Sequence, residues 1–132
     1  MSDDSTTPAL AATWDTIPGE DVRPGVSRKG FGTQDVILVM NTIQPDMQPA
    51  PHTHDDFDQI ATIVSGEAVY HVGDVAHRVS AGALLLIPAG VEHWIEPVGD
   101  RPVENLDVFA PARSDYAHLL DWTRSAAGAD PT

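Results

Sequence analysis

The 132-residue sequence contains no cysteine. A disulfide framework and thiolate chemistry are therefore excluded. A chain without cysteine is typical of a reducing compartment. Its first seven residues carry Asp3 and Asp4 and have neither the positive charge nor the apolar run of a secretory signal. We therefore expect a cytoplasmic protein.

Basic residues are scarce as well. Lys and Arg number 7 against 20 Asp and Glu, which gives a formal net charge of −13. Because Lys and Arg hold phosphate backbones and anionic lipid surfaces, this balance argues against nucleic acid or a membrane surface as a partner. No stretch approaches the roughly 20 apolar residues of a membrane-spanning helix.

The length predicts a single domain, and the 11 prolines leave little room for long helices. Short β-rich runs separated by Gly and Pro predict an all-β sandwich or barrel. These runs cover residues 35–43, 59–65, 67–72, 83–87, 91–96 and 103–109. Ser114 as N-cap, followed by apolar residues at helical spacing, predicts one short helix over about 114–123. We expect flexible segments at 1–12 and 124–132 around a domain at 13–123.

The sharpest local feature is the pair His52 and His54. Two histidines at i and i+2 on a strand point to the same face, which allows both imidazoles to reach one metal ion. Alone, this spacing also fits two solvated loop histidines. Either Gln59 or Asp58 could follow as a further ligand, and strand alternation favours Gln59 if Ala61 and Ile63 face the interior.

The surrounding residues resemble the two signature motifs of the cupin superfamily. His52, His54, Gln59 and Gly66 follow the spacing of the first motif, and Gly82, Pro88, Gly90 and His93 follow the second. Asp46 and Pro97 replace a usual Gly and Asn, neither of which is a ligand, while Gln59 replaces the usual Glu. The resemblance implies a single-domain jelly-roll barrel, the double-stranded β-helix, covering most of the chain.

The cupin resemblance also implies one divalent transition metal, Zn, Ni, Mn or Fe, held by His52, His54, Gln59 and His93. Three neutral imidazoles and a neutral amide leave the charge of the ion uncompensated. This favours a Lewis acid that polarises a substrate oxygen over redox chemistry.

A narrower resemblance lies in the segment 106–116. A strand ending in Asp107-x-Phe109-x-Pro111-x-Arg113 looks like the small cupins of pectin and alginate breakdown, the KdgF type. That resemblance implies conversion of 4,5-unsaturated uronates to linear ketouronates, with Asp107 and Arg113 catalytic and Phe109 and Arg113 in contact with the substrate. The plainer alternatives are a core Phe109, an Arg113 paired with Asp115 and an Asp107 satisfied within its strand.

The function expected from these residues is that of a metal-dependent isomerase or lyase acting on a small oxygenated carboxylate. Fold does not fix function, and small cupins also include dioxygenases, polyketide cyclases and sulfonium-propionate lyases. A non-catalytic cupin that binds a small molecule is a third alternative. The cupin resemblance further implies a homodimer.

Overall fold

The computed structural model describes residues 9–54 and 56–124 of the chain. Within these residues, strands account for most of the regular structure, and the prediction of an all-β domain is confirmed. The strands are β1 (Glu20–Arg23), β2 (Val26–Gly32), β3 (Ile37–Ile43), β4 (Gln59–Ser65), β5 (Glu67–Val72), β6 (Val75–Ser80), β7 (Leu84–Ile87), β8 (His93–Pro97) and β9 (Val103–Phe109). Short 3-10 helices lie at Trp14–Thr16 and Ser114–Leu120.

In the described residues, the strands form two antiparallel sheets. The large sheet has the order β1-β2-β3-β9-β4-β7, and the small sheet has the order β6-β5-β8. One hydrophobic cluster joins the inward faces of both sheets, from Ile43 and Ile63 in the large sheet to Ala68 and Tyr70 in the small one. Two sheets that face each other across a shared core give the jelly-roll architecture.

Strand β4 shows how the sequence selects the inward face. Gln59, Ala61 and Ile63 are buried, whereas Ile60 and Val64 are exposed. Since side chains alternate along a strand, the inward assignment of Gln59 predicted from the sequence is confirmed. The predicted strands at 59–65, 67–72 and 103–109 have the bounds of β4, β5 and β9.

The turn between β4 and β5 requires glycine. Gly66 has φ +88°, and a Cβ there would lie 2.6 Å from the carbonyl oxygen of Pro102. A side chain at this position would meet both a disfavoured backbone conformation and a backbone atom that cannot easily move. Gly66, the last residue of the first sequence motif, is therefore required by the geometry of this turn.

The predicted C-terminal helix is present, but its first part is a 3-10 helix. It runs over Ser114–Leu120, and residues 121–124 continue it as α-helix. Ser114 was expected as the N-cap, and this was wrong: Arg113 occupies the cap position and Ser114 is the first helical residue. Leu119 is buried against Gly30, whose carbonyl oxygen accepts a hydrogen bond from Trp122 Nε1.

The expected flexible segments lie mostly outside the described residues, which exclude 1–8 and 125–132. Residues 9–12 have no regular secondary structure. The division of the chain at about residues 12 and 124 stays a prediction. In the part that the structure describes, no helix is long and apolar enough to cross a membrane.

Candidate metal centre

Three histidines meet at one end of the barrel. His52 and His93 form a backbone bridge, with N–O distances of 3.1 and 2.9 Å. The carbonyl oxygen of His54 accepts a hydrogen bond from Gly90 N at 2.7 Å. The two sequence motifs are thereby joined, because the segment that carries His52 and His54 pairs with the segment that leads into His93.

The imidazole rings of this cluster converge. One ring nitrogen of each histidine lies within 4.8 Å of the others. The centroid of the His52 ring is 4.1 Å from that of His93 and 5.0 Å from that of His54. Distances of this size allow three nitrogens to reach one ion, since metal–nitrogen bonds are about 2.1 Å long.

Backbone carbonyls orient two of the rings. His52 Nδ1 lies 2.9 Å from the carbonyl oxygen of Ala50, and His93 Nδ1 lies 3.0 Å from that of Val91. Each Nδ1–H donates to its carbonyl, which places the lone pair of the neutral ring on Nε2. This is the arrangement in which outer hydrogen bonds fix the tautomer of metal-binding histidines.

The environment keeps two of these imidazoles neutral. Burial lowers the pKa of His54 to about 4, with a further contribution from the positive charge of Arg113. Burial also lowers the pKa of His93. Because a metal binds the neutral ring, both histidines hold the ligating form at neutral pH.

Gln59 is the buried candidate for a fourth ligand. Its Nε2 donates to Asp107 Oδ1 at 2.7 Å, which leaves its carbonyl oxygen Oε1 on the other side of the amide. The rival candidate Asp58 points away from the interior, where its Oδ1 accepts a hydrogen bond from Ala89 N at 2.9 Å. Of the two alternatives, the structure therefore brings Gln59 into the barrel.

Two unpartnered atoms make the site suited to a metal ion. Among the residues that the structure describes, Gln59 Oε1 and His93 Nε2 are buried without a hydrogen-bond partner. Buried polar groups normally have a partner, and an exception calls for a missing water or ion. Three imidazole nitrogens and an amide oxygen form a donor set that fits a divalent transition metal.

Asp107 lies on the inward face of β9, two residues before Phe109. Its carboxylate accepts hydrogen bonds from Gln59, from Asn41 Nδ2 at 3.0 Å and from Asn105 Nδ2 at 2.8 Å. Burial raises the pKa of Asp107 to about 6, and these three hydrogen bonds oppose the rise. A buried carboxylate with a pKa close to neutrality is suited to proton transfer.

Sequence reasoning missed Asn41 and Asn105. Both stand on inward strand positions that otherwise carry apolar side chains: Ile37, Val39 and Ile43 on β3, and Val103 and Phe109 on β9. A polar residue that interrupts an apolar alternation was the available signal. Their direct pairing across the two strands is a long-range contact that only the fold shows.

Arg113 lies in an aromatic cage that we define as Phe57, Phe109 and Tyr116. Its guanidinium carbon is 5.0, 5.2 and 4.2 Å from the three ring centroids. Its Nε and Nη2 donate to the two carboxylate oxygens of Asp115. The alternative of an ion pair with Asp115 is therefore confirmed.

The remaining Arg113 nitrogen faces the histidine cluster. Nη1 lies 3.4 Å from His54 Nδ1 and donates to the Tyr116 hydroxyl at 3.1 Å. Phe109 is buried and touches Phe57 and Tyr116 ring edge to ring face, so it belongs to the core and to the cage together. His54 stacks on Phe57 with a centroid distance of 4.9 Å. The cage therefore links Arg113 to the histidine cluster.

With this geometry established, comparison with known proteins assigns the class. The family model Cupin_2, a cupin domain, matches residues 39–109. The chain therefore belongs to the cupin family, as the two sequence motifs predicted. The matched region contains the three histidines, Gln59 and Asp107.

More particular similarities extend over most of the chain. Protein SchB of Streptomyces halstedii is 27% identical over 119 residues, which are 84% of this chain and 86% of that protein. The solved structure of KdgF from Halomonas sp. is 27% identical with a TM-score of 0.71, covering 78% of this chain and 95% of that chain. An acireductone dioxygenase of Sulfurihydrogenibium sp. is 28% identical over 92 residues, 62% of this chain and half the length of that enzyme.

Proposed function

We propose that the protein is a metal-dependent isomerase or lyase that acts on a small oxygenated carboxylate. The observation that carries this proposal is the hydrogen bond by which Gln59, a candidate ligand of the histidine cluster, holds the buried carboxylate of Asp107. Gln59 connects the two, because its amide nitrogen donates to Asp107 and its carbonyl oxygen is left as a candidate ligand. A bound divalent ion supplies Lewis-acid polarisation of a substrate oxygen, and it would be held by His52, His54, His93 and Gln59.

The proposed substrate class is the 4,5-unsaturated uronates. In the ring form, a proton leaves the hydroxyl on C1, the bond between C1 and the ring oxygen breaks, and the electron pair forms an enolate across C4 and C5. Protonation of C4 then gives the linear ketouronate, so the reaction is an isomerisation without redox change. Asp107 is the residue that accepts the hydroxyl proton and returns a proton to C4.

Arg113 is the proposed donor to the substrate carboxylate. Asp115 occupies its Nε and Nη2, and the aromatic cage fixes its plane, so Nη1 is the nitrogen directed at the cluster. A substrate carboxylate would take the place of His54 as the partner of Nη1. The carboxylate of Asp58 does not oppose this, since it is directed outward to Ala89.

The similarity to KdgF from Halomonas sp. over 95% of that chain supports this choice of substrate class. The test is to follow the ultraviolet absorbance of 4,5-unsaturated galacturonate with metal-loaded protein, since ketonisation removes the conjugated double bond. We expect decay well above the uncatalysed rate with wild type and with His77→Ala, an exposed control outside the cluster. Decay at the uncatalysed rate would reject this substrate.

A second candidate is a dioxygenase or polyketide cyclase. The ring of Phe57, which stacks on His54 with a centroid distance of 4.9 Å, favours it, because an aromatic wall beside the cluster suits an apolar or aromatic substrate better than a sugar. The acireductone dioxygenase similarity is consistent with the first of these activities. Stoichiometric oxygen uptake with a substrate would identify a dioxygenase and exclude the isomerase.

We also propose a homodimer through the outer face of the large sheet. Leu86 pairs with Ile60, and Ile60 pairs with Val108, so apolar side chains lie side by side across β7, β4 and β9. Leu84 is 76% and Leu86 64% exposed. On a chain with a net charge of −13, this apolar patch is a place where a second copy can approach with little like-charge repulsion.

A further inference from the structure

Asn41 and Asn105 enclose Asp107 from two strands. They are directly opposite each other, Asn41 on β3 and Asn105 on β9. Asn41 donates to Oδ2 of Asp107 and Asn105 donates to Oδ1, the oxygen that Gln59 also uses. Asn41 Nδ2 is anchored further by the carbonyl oxygens of Val39 and Asn105, each at 3.3 Å. The Asp107 carboxylate is therefore held in the orientation in which it accepts a hydrogen bond from all three amide groups.

The orientation of Asp107 decides which atom of Gln59 faces away from it. A carboxylate only accepts hydrogen bonds, so the amide group of Gln59 must present its nitrogen at the 2.7 Å contact. With the amide turned over, its carbonyl oxygen would meet a carboxylate oxygen at that distance. The free carbonyl oxygen is thus directed elsewhere in the interior, where it is buried and has no partner among the described residues.

We propose that Asn41 and Asn105 are positioning residues of the metal centre. They hold the Asp107 carboxylate so that Asp107 fixes the Gln59 amide with its carbonyl oxygen available as a ligand. The proposal rests on the proposed function, since it takes Gln59 as the oxygen ligand of the histidine cluster. Neither asparagine touches the ion or the substrate, and both act through Asp107.

An exchange of amide and carboxylate tests this arrangement. Asn41→Asp alone sets two carboxylates against each other, and Asp107→Asn alone sets two amide nitrogens against each other. In the double variant N41D/D107N, the carboxylate introduced at position 41 accepts from the amide nitrogen introduced at position 107. The amide oxygen at position 107 then still accepts from Gln59 and Asn105. The orientation of Gln59 is restored, while the carboxylate has moved to position 41.

The readout is the titration of each protein with Co²⁺, followed by the visible absorption spectrum. Loss of an outer partner of a metal ligand costs about tenfold in affinity or more, and we expect that loss in each single variant. The double variant should return to within about threefold of wild type with the wild-type spectrum, because the two changes couple through one contact. It should remain inactive, since no carboxylate stands at position 107. If the two asparagines only stabilised the fold, the double variant would not combine wild-type Co²⁺ binding with loss of activity.

Controls keep the outcomes distinct. Thr42→Asp adds the same charge to the next residue of β3, whose side chain points to the other face, and should bind Co²⁺ as wild type does. If Asn41→Asp unfolds, Asn41→Ser and Asn105→Ser remove an amide donor without adding charge and should show the same loss. Wild-type binding in all single variants, or a double variant as weak as the singles, would overturn the inference. Wild-type binding in His52→Ala would instead overturn the proposed metal site.

Discussion

Replacing Gln59 with Glu would set a second carboxylate against Asp107, at a position where the two side chains are 2.7 Å apart. Two unit charges at about 3 Å repel by about 5 kcal/mol at an effective dielectric constant of about 20. Protonating Asp107 instead, whose pKa burial raises to about 6, costs about 2 kcal/mol at about pH 7.5. Because protonation costs less than the charge repulsion, one carboxylate of the pair takes a proton, and its pKa in the folded protein rises.

The sign of the pH dependence follows from this rise. A group whose pKa is higher in the folded than in the unfolded protein loses stability as the pH increases. Relative to wild type at the same pH, the penalty should be close to zero at about pH 5 and about 2 kcal/mol at about pH 7.5. For a chain of this length, each kcal/mol lowers the melting temperature by about 3.5 °C.

The destabilisation at each of the two pH values can be measured by thermal unfolding, monitored by circular dichroism with a chelator present. We expect Gln59→Glu to melt close to wild type at the lower pH and about 7 °C below it at the higher pH. Gln48→Glu makes the same change at an exposed position and should leave the melting temperature unchanged at both. A Gln59→Glu variant that melts with wild type at both pH values would refute the contact between Gln59 and an ionised Asp107.

Three further predictions concern the chemistry, the assembly and the edge of the barrel. Asp107→Asn, assayed at saturating metal, should lower kcat about 100-fold or more because it removes the proposed acid and base; a kcat within a few-fold of wild type would exclude that role. Leu86→Asp puts a charge on the outer face of the large sheet and should convert a dimer to a monomer in light scattering, whereas an unchanged mass would place the interface elsewhere. The hydrogen bond from His118 and the pairing with Arg28 lower the pKa of Glu20. Its contribution to stability is therefore present above the unfolded pKa and is lost as the pH falls through the lower folded value. Glu20→Gln should melt below wild type at neutral pH and approach it in acid, and a constant difference at all pH values would show that the ionised carboxylate contributes nothing.

Local periodicity was enough to predict the central strands. In β4, three inward residues alternate with exposed ones, and the same alternation places Asp107 and Phe109 on one face of β9. The spacing of His52 and His54 indicated two imidazoles on one face, and the resemblance to the second cupin motif added His93 to them. These features depend on a few neighbouring residues, and the sequence shows them directly.

The strands that were missed lack an apolar face. In β6, Val79 is buried while the other five residues are exposed, so no alternation was visible. In β2, Arg28 lies on the inward side. The ring of Tyr116 covers it there, with its centroid 4.7 Å from the guanidinium carbon. A charged residue on the buried side of a strand removes the pattern from which a strand is predicted.

The surroundings of the site depend on contacts between distant residues. Asn41 and Asp107 are brought together only when β3 pairs with β9. The aromatic cage needs Phe57, Phe109 and Tyr116 from a loop, a strand and a helix. The sequence predicted Arg113 as a substrate-binding residue and offered its pairing with Asp115 as an alternative, but it gave no indication that three rings surround its guanidinium group.

The proposed metal site consists of His52, His54 and His93, which together would bind one divalent ion. Calorimetric titration of the metal-free protein with Co²⁺ measures this binding. We expect one ion per chain in wild type and in His77→Ala, and loss of that binding in His52→Ala and His54→Ala, both checked for folding by circular dichroism. A wild-type protein that binds no Co²⁺, or Co²⁺ binding that both cluster variants retain, would contradict this metal site.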